Sequence, residues 1–114
     1  MKKQKMLSLI LMVFLPIILM AHPPKKVDVK YKKESNKLII SIPHLVKNVE
    51  KHYIESIIIS VDGKEIKVLE YTSQSTKESH DIEIELPELE SGNEVEVKAK
   101  CNKMGTKVTT IKIL

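Results

Sequence analysis

The stretch "YIESIIISVDGKEIKVLEY", residues 53 to 71, decides the fold. Two runs rich in Ile and Val flank Asp62-Gly63, a dipeptide that accepts the positive φ angles of a two-residue hairpin turn. Neither run shows the 3.6-residue recurrence of an amphipathic helix, so the segment reads as strand, turn, strand.

The same pattern continues in both directions. Upstream, Val27, Val29 and Tyr31 alternate with Asp28, Lys30 and Lys32, and "ESNK" turns the chain into "LIISI" at 38 to 42. Downstream, Ile82, Ile84 and Leu86 alternate with Glu83 and Glu85, and "PELESGN" separates them from "EVEVKAKC" at 94 to 101. "NKMG" then precedes the last run, "TKVTTIKIL". Seven strands with turn signals between them predict an all-β fold, an immunoglobulin-like antiparallel β-sandwich. Its core is expected to be aliphatic, because the chain has no Trp and its one Phe, Phe14, lies before the strands. "YTSQSTKES" at 71 to 79 reads as an exposed connection. The alternating Glu83, Glu85, Glu94 and Glu96 read as a solvated sheet face that discourages edge-to-edge aggregation.

The first 21 residues differ in kind. Lys2, Lys3 and Lys5 lead into an apolar run from Met6 to Met20 broken only by Ser8, and Ala21 follows. A basic start, an apolar middle and a small residue at the end predict a signal peptide over 1–21, cut after Ala21, and export to the periplasm or outside the cell. The run, interrupted by Pro16, falls short of the roughly 20 residues that span a bilayer, so no stable membrane insertion is expected after cleavage. The remaining domain is 22–114, one domain's length.

Of the chain's 19 basic and 15 acidic residues, three lysines and no acid fall in 1–21. The remainder is close to neutral, which gives no electrostatic footprint for nucleic acid. A single cysteine builds no internal disulfide framework, so Cys101 is expected to be buried, paired with another chain, or metal-bound. Its parity with Val95, Val97 and Ala99 places it on the inward face at a strand end. There it serves either as a small buried hydrophobe or as a donor. His44 and His52 bracket the loop between two strands, and imidazole and thiolate are good donors for iron, zinc and copper if strand ends bring them to one rim. His80 is assigned to the polar face of "HDIEIEL" and expected to be solvated. No nucleophile elbow, phosphate loop or zinc-protease helix is present.

With those residues in place, the chain resembles the iron-binding domain of the superoxide reductases, the desulfoferrodoxin and neelaredoxin group. The likeness rests on a histidine-bounded loop ending in His52-Tyr53-Ile54 and on Cys101-Asn102-x-x-Gly105, and it extends over 22–114. It implies an immunoglobulin-like sandwich with one non-haem iron, held by four histidines in a plane and an axial cysteine, that reduces superoxide to hydrogen peroxide. By that resemblance His44 and His52 match two planar ligands, Cys101 the axial ligand, and His22 the histidine before the first strand. The pattern departs in three places: no proline follows His44, the loop has seven residues where the family usually has four, and Met104 stands where the family has its last histidine. Glu50-Lys51-His52 repeats the letters of the family's catalytic motif at a different ligand, so no catalytic residue is transferred. The resemblance therefore implies a divergent member with an altered ligand set, acting on superoxide or with a small redox partner.

Two further readings stay open. If cleavage follows Ala21, the amine and Nδ1 of His22, joined by His44 or His52, form a copper site. Alternatively the domain is a metal-free binding or structural module, with Met104 filling a core gap and Cys101 buried.

Overall fold

The computed structural model describes residues 24–114. The proposed signal segment, its cleavage point and His22 lie outside the described residues. Seven strands follow in order: β1 Asp28–Lys32, β2 Lys37–Pro43, β3 Ile54–Val61, β4 Lys64–Glu70, β5 Ser79–Glu85, β6 Glu94–Cys101 and β7 Thr106–Lys112. Every strand that alternation predicted is present, and there is no helix among the described residues.

All pairings are antiparallel, and the strands form two sheets, β1-β2-β5 and β4-β3-β6-β7. The chain changes sheet between β2 and β3, between β4 and β5, and between β5 and β6. Such crossing is how an immunoglobulin-like sandwich closes a core between two layers. Asp62-Gly63 makes the predicted tight turn, with φ of 49° and 83° at the two residues. The Asp62 carboxylate also accepts from the Glu94 amide at 2.9 Å and from Asn93 Nδ2 at 2.7 Å, tying the turn to the start of β6.

The core is aliphatic as expected. Leu38, Ile40 and Ile42 of β2 pack with Ile54, Ile57 and Ile59 of β3 and Val95, Val97 and Ala99 of β6. Strict alternation in β2 and β6 supplies two of these rows. Strand β3 breaks alternation: Ile54 and Ile57, three residues apart, are both fully buried. A register shift between Ile54 and Ser56 against β6 explains this, because one extra residue in a strand turns the following side chains to the other face. The bulge lies where Ile54 pairs with Cys101. It therefore shapes the rim that carries the candidate ligands.

Candidate metal centre

Three segments meet at that rim. His44 lies just beyond the end of β2, His52 two residues before β3, and Cys101 closes β6. His44 and Cys101 are buried and His52 is half-buried. Their donor atoms all lie within 4.8 Å of one another. His52 Nε2 is 3.2 Å from Cys101 Sγ, and the His44 and His52 rings meet edge to face with centroids 4.7 Å apart.

Backbone hydrogen bonds hold each piece. The Asn48 carbonyl accepts from the amides of Lys51 and His52, at 3.1 and 3.0 Å, and Asn48 Oδ1 accepts from the Glu50 amide, so the loop ends in a turn just before His52. Asn102 clamps that turn to the end of β6. Its Oδ1 accepts from the Tyr53 amide at 2.9 Å, its Nδ2 donates to the Lys51 carbonyl at 3.0 Å, and its own amide donates to the Tyr53 carbonyl at 3.0 Å. The residue after the cysteine thus grips the chain on both sides of His52. Gly105, at φ 93°, allows the tight return into β7 and accepts from the Cys101 amide. Within this turn the Lys103 amide donates to Cys101 Sγ at 3.3 Å.

The three donors are near enough to converge on one ion once their side chains move. At a tetrahedral ion such as zinc, bonds of about 2.1 Å to nitrogen and about 2.3 Å to sulfur put the two donors about 3.6 Å apart. The His52–Cys101 separation of 3.2 Å is a few tenths of an ångström shorter than that. The donors as a set lie within 4.8 Å of one another, about 1 Å wider than such an ion holds them, so side-chain rotation is needed to close the set. Two imidazoles and a thiolate are donors that iron, zinc and copper accept. Without an ion, the same contact is a hydrogen bond between ring nitrogen and sulfur.

Several solved structures share this arrangement of strands. The superoxide reductase (1Fe-SOR) from Giardia intestinalis superposes with a TM-score of 0.60 at 18% identity, over 81% of this chain and 100% of that one. The superoxide reductase from Nanoarchaeum equitans gives 0.53 at 18% identity, over 81% and 94%. A form of the superoxide reductase (neelaredoxin) from Ignicoccus hospitalis gives 0.56 at 12%, over 77% of each chain. The fold is that of the superoxide reductases. At these identities the likeness is one of architecture, and no protein-family model and no curated protein matches the chain. The superoxide-reductase fold is the architecture that the His52-Tyr53-Ile54 and Cys101-Asn102 segments suggested.

Three expectations about individual residues need correction. Met104 is 44% exposed, so it fills no core gap. The connection at 71–79 is largely exposed, but Gln74 within it is buried and hydrogen-bonded to His44. His80 is buried, not solvated. It shares the parity of the half-buried Ile82 and Ile84, and that two-residue period was the signal for placing it inward. Lys25 and Lys26 are exposed, the latter paired with Asp28.

His80 packs edge to face on Tyr71, with centroids 4.4 Å apart, and its Nδ1 accepts from the Ser75 amide at 3.2 Å. Burial pushes its pKa below the ordinary histidine value; Asp81 opposes that shift and His44 adds to it. The folded chain therefore binds fewer protons at this ring than the unfolded chain does. Stability from this ring is present above about pH 6.5 and is lost as pH falls below it, by at most about 1.4 kcal/mol per pH unit. Asp81 acts in a separate window: hydrogen bonds from Ser41 and Ser79 lower its pKa, so its contribution goes only below about pH 4. Urea unfolding of wild type and His80→Phe between pH 7.5 and 5 is expected to show a steeper acid loss in wild type. Parallel curves would show that His80 takes up no proton on unfolding.

Proposed function

We propose that this protein binds one non-haem iron through His44, His52 and Cys101, and reduces superoxide to hydrogen peroxide. The observation that carries the reading is the convergence of two imidazoles and a thiol at one rim of a superoxide-reductase fold. His22, matched by the sequence resemblance alone, is the proposed further donor. Met104, exposed beside Cys101, stands where the family's remaining histidine would be, so the ligand set is altered. The basic and apolar run at 1–21 supports export as part of the same reading.

When bound, ferrous iron would supply the single electron that superoxide needs, becoming ferric, while two protons from solvent complete hydrogen peroxide. The residues do the rest. Cys101 would supply anionic sulfur, with the Lys103 N–H directed at it. Asn102 fixes the backbone on either side of His52 and so sets that ring against the sulfur. His44 and Cys101 are buried, whereas Lys51, beside His52, and Lys103 and Met104, just after Cys101, are exposed, which supports approach of a small anion and its protons from that side.

Product stoichiometry tests the activity. Iron-loaded protein kept reduced is expected to form one hydrogen peroxide per superoxide, consume one electron and release no dioxygen. Half as much peroxide accompanied by dioxygen would mean dismutation, and unaltered superoxide decay would leave a metal-binding module without this activity.

A further inference from the structure

We infer that Gln74 is a positioning residue that selects the tautomer of His44 and so directs Nε2 of that ring to a metal. The inference rests on His44 being a ligand, as proposed above, but its structural part stands without any metal.

Gln74 comes from the connection between β4 and β5, thirty residues after His44, and is 3% exposed. Its backbone is held by its amide, which donates to the Val49 carbonyl at 3.0 Å. Its side-chain amide meets three polar atoms. Nε2 lies 2.7 Å from the His44 carbonyl oxygen and 2.9 Å from the Thr76 carbonyl oxygen, and Oε1 lies 2.7 Å from His44 Nδ1. Two carbonyl oxygens accept and never donate, so the group facing them is the NH2, which uses both its hydrogens there. Flipping the amide would set oxygen against two oxygens in a buried site. The orientation is therefore fixed by chemistry, and Oε1 is the atom facing the ring.

An amide oxygen only accepts, so Nδ1 of His44 carries the proton. In the neutral ring the lone pair is then on Nε2. Metal-binding histidines are commonly held in this way, with the other ring nitrogen donating to an oxygen that fixes both tautomer and ring direction. The main chain of His44 is secured by the same amide through the Nε2 contact to its carbonyl. One side chain thus controls where the ring starts, how it is turned and which nitrogen it offers.

The test begins with the metal-free protein. Long-range proton–nitrogen NMR above pH 7.5 is expected to find His44 in the Nδ1–H form; the Nε2–H form would overturn the inference whatever the metal does. Gln74→Leu, which has no acceptor, is expected to lose that preference and to weaken Fe(II) binding about 10–100-fold. Gln74→Glu keeps an acceptor for Nδ1–H and is expected to keep the tautomer and most of the affinity, even where its carboxylate lowers stability. If Leu and Glu weaken Fe(II) equally in step with their melting temperatures, Gln74 is only structural. An Nδ1–H tautomer in a protein that takes up no Fe(II) would refute the proposed function and leave the tautomer assignment standing.

Discussion

Cys101→Ser is expected to weaken Fe(II) binding by more than the 10–100-fold that follows loss of a residue supporting a ligand, because it removes a donor itself. A hydroxyl is close in shape to a thiol but does not ionise to hold a metal as a thiol does, so the substitution deletes the sulfur donor proposed for iron. The structure predicts little damage elsewhere. The new hydroxyl would still find the His52 ring and the Lys103 amide, the two groups now near Sγ, so no buried polar atom is abandoned. Stability of the metal-free protein is expected to change by about 1 kcal/mol or less. Isothermal titration with Fe(II), alongside urea unfolding, separates the two effects. Equal Fe(II) affinity in variant and wild type would remove Cys101 from the site.

Ile57→Ala is expected to have the largest effect on stability, about 2–5 kcal/mol, against the roughly 5–15 kcal/mol typical of a whole domain. Ile57 is fully buried in the middle of β3, between Leu69 of β4 and Ala99 of β6. Ala99 is itself small, so neighbours offer little volume to fill the cavity. Ile58 is the control: it lies on the opposite face, half-buried, and Ile58→Ala is expected to cost clearly less. Urea midpoints for the two variants measure the difference, provided the denaturant slope is unchanged. Equal losses would mean that β3 is not in the phase described.

That phase shows what alternation can and cannot reveal. In "EVEVKAKC" every second residue is apolar, so β6 and the inward position of Cys101 were legible from sequence. In "YIESIIISV" the run of isoleucines conceals the bulge, because an apolar residue on either face gives the same letters. The candidate donors were legible from residue type and strand-end position, but their convergence was suggested only by resemblance. Nothing in the spacing of His44, His52 and Cys101 states that three strand ends meet; that follows from β2 and β6 belonging to different sheets that close on one core. Gln74 was missed for a related reason. A lone glutamine among Ser, Thr and Lys has the composition of a surface loop, and only the return of the chain from β4 to β5 places it under His44. His80 was a different failure, since its parity with Ile82 was visible and its polarity was given more weight than its phase.

The most direct measurement is anaerobic titration of the purified protein with Fe(II), followed by oxidation and a visible spectrum, in wild type and Cys101→Ser. If His44, His52 and Cys101 form one iron centre, wild type takes up one iron and develops a sulfur-to-iron charge-transfer band that the variant lacks. Failure to bind iron at one per chain, or a band unchanged by the substitution, would contradict that centre.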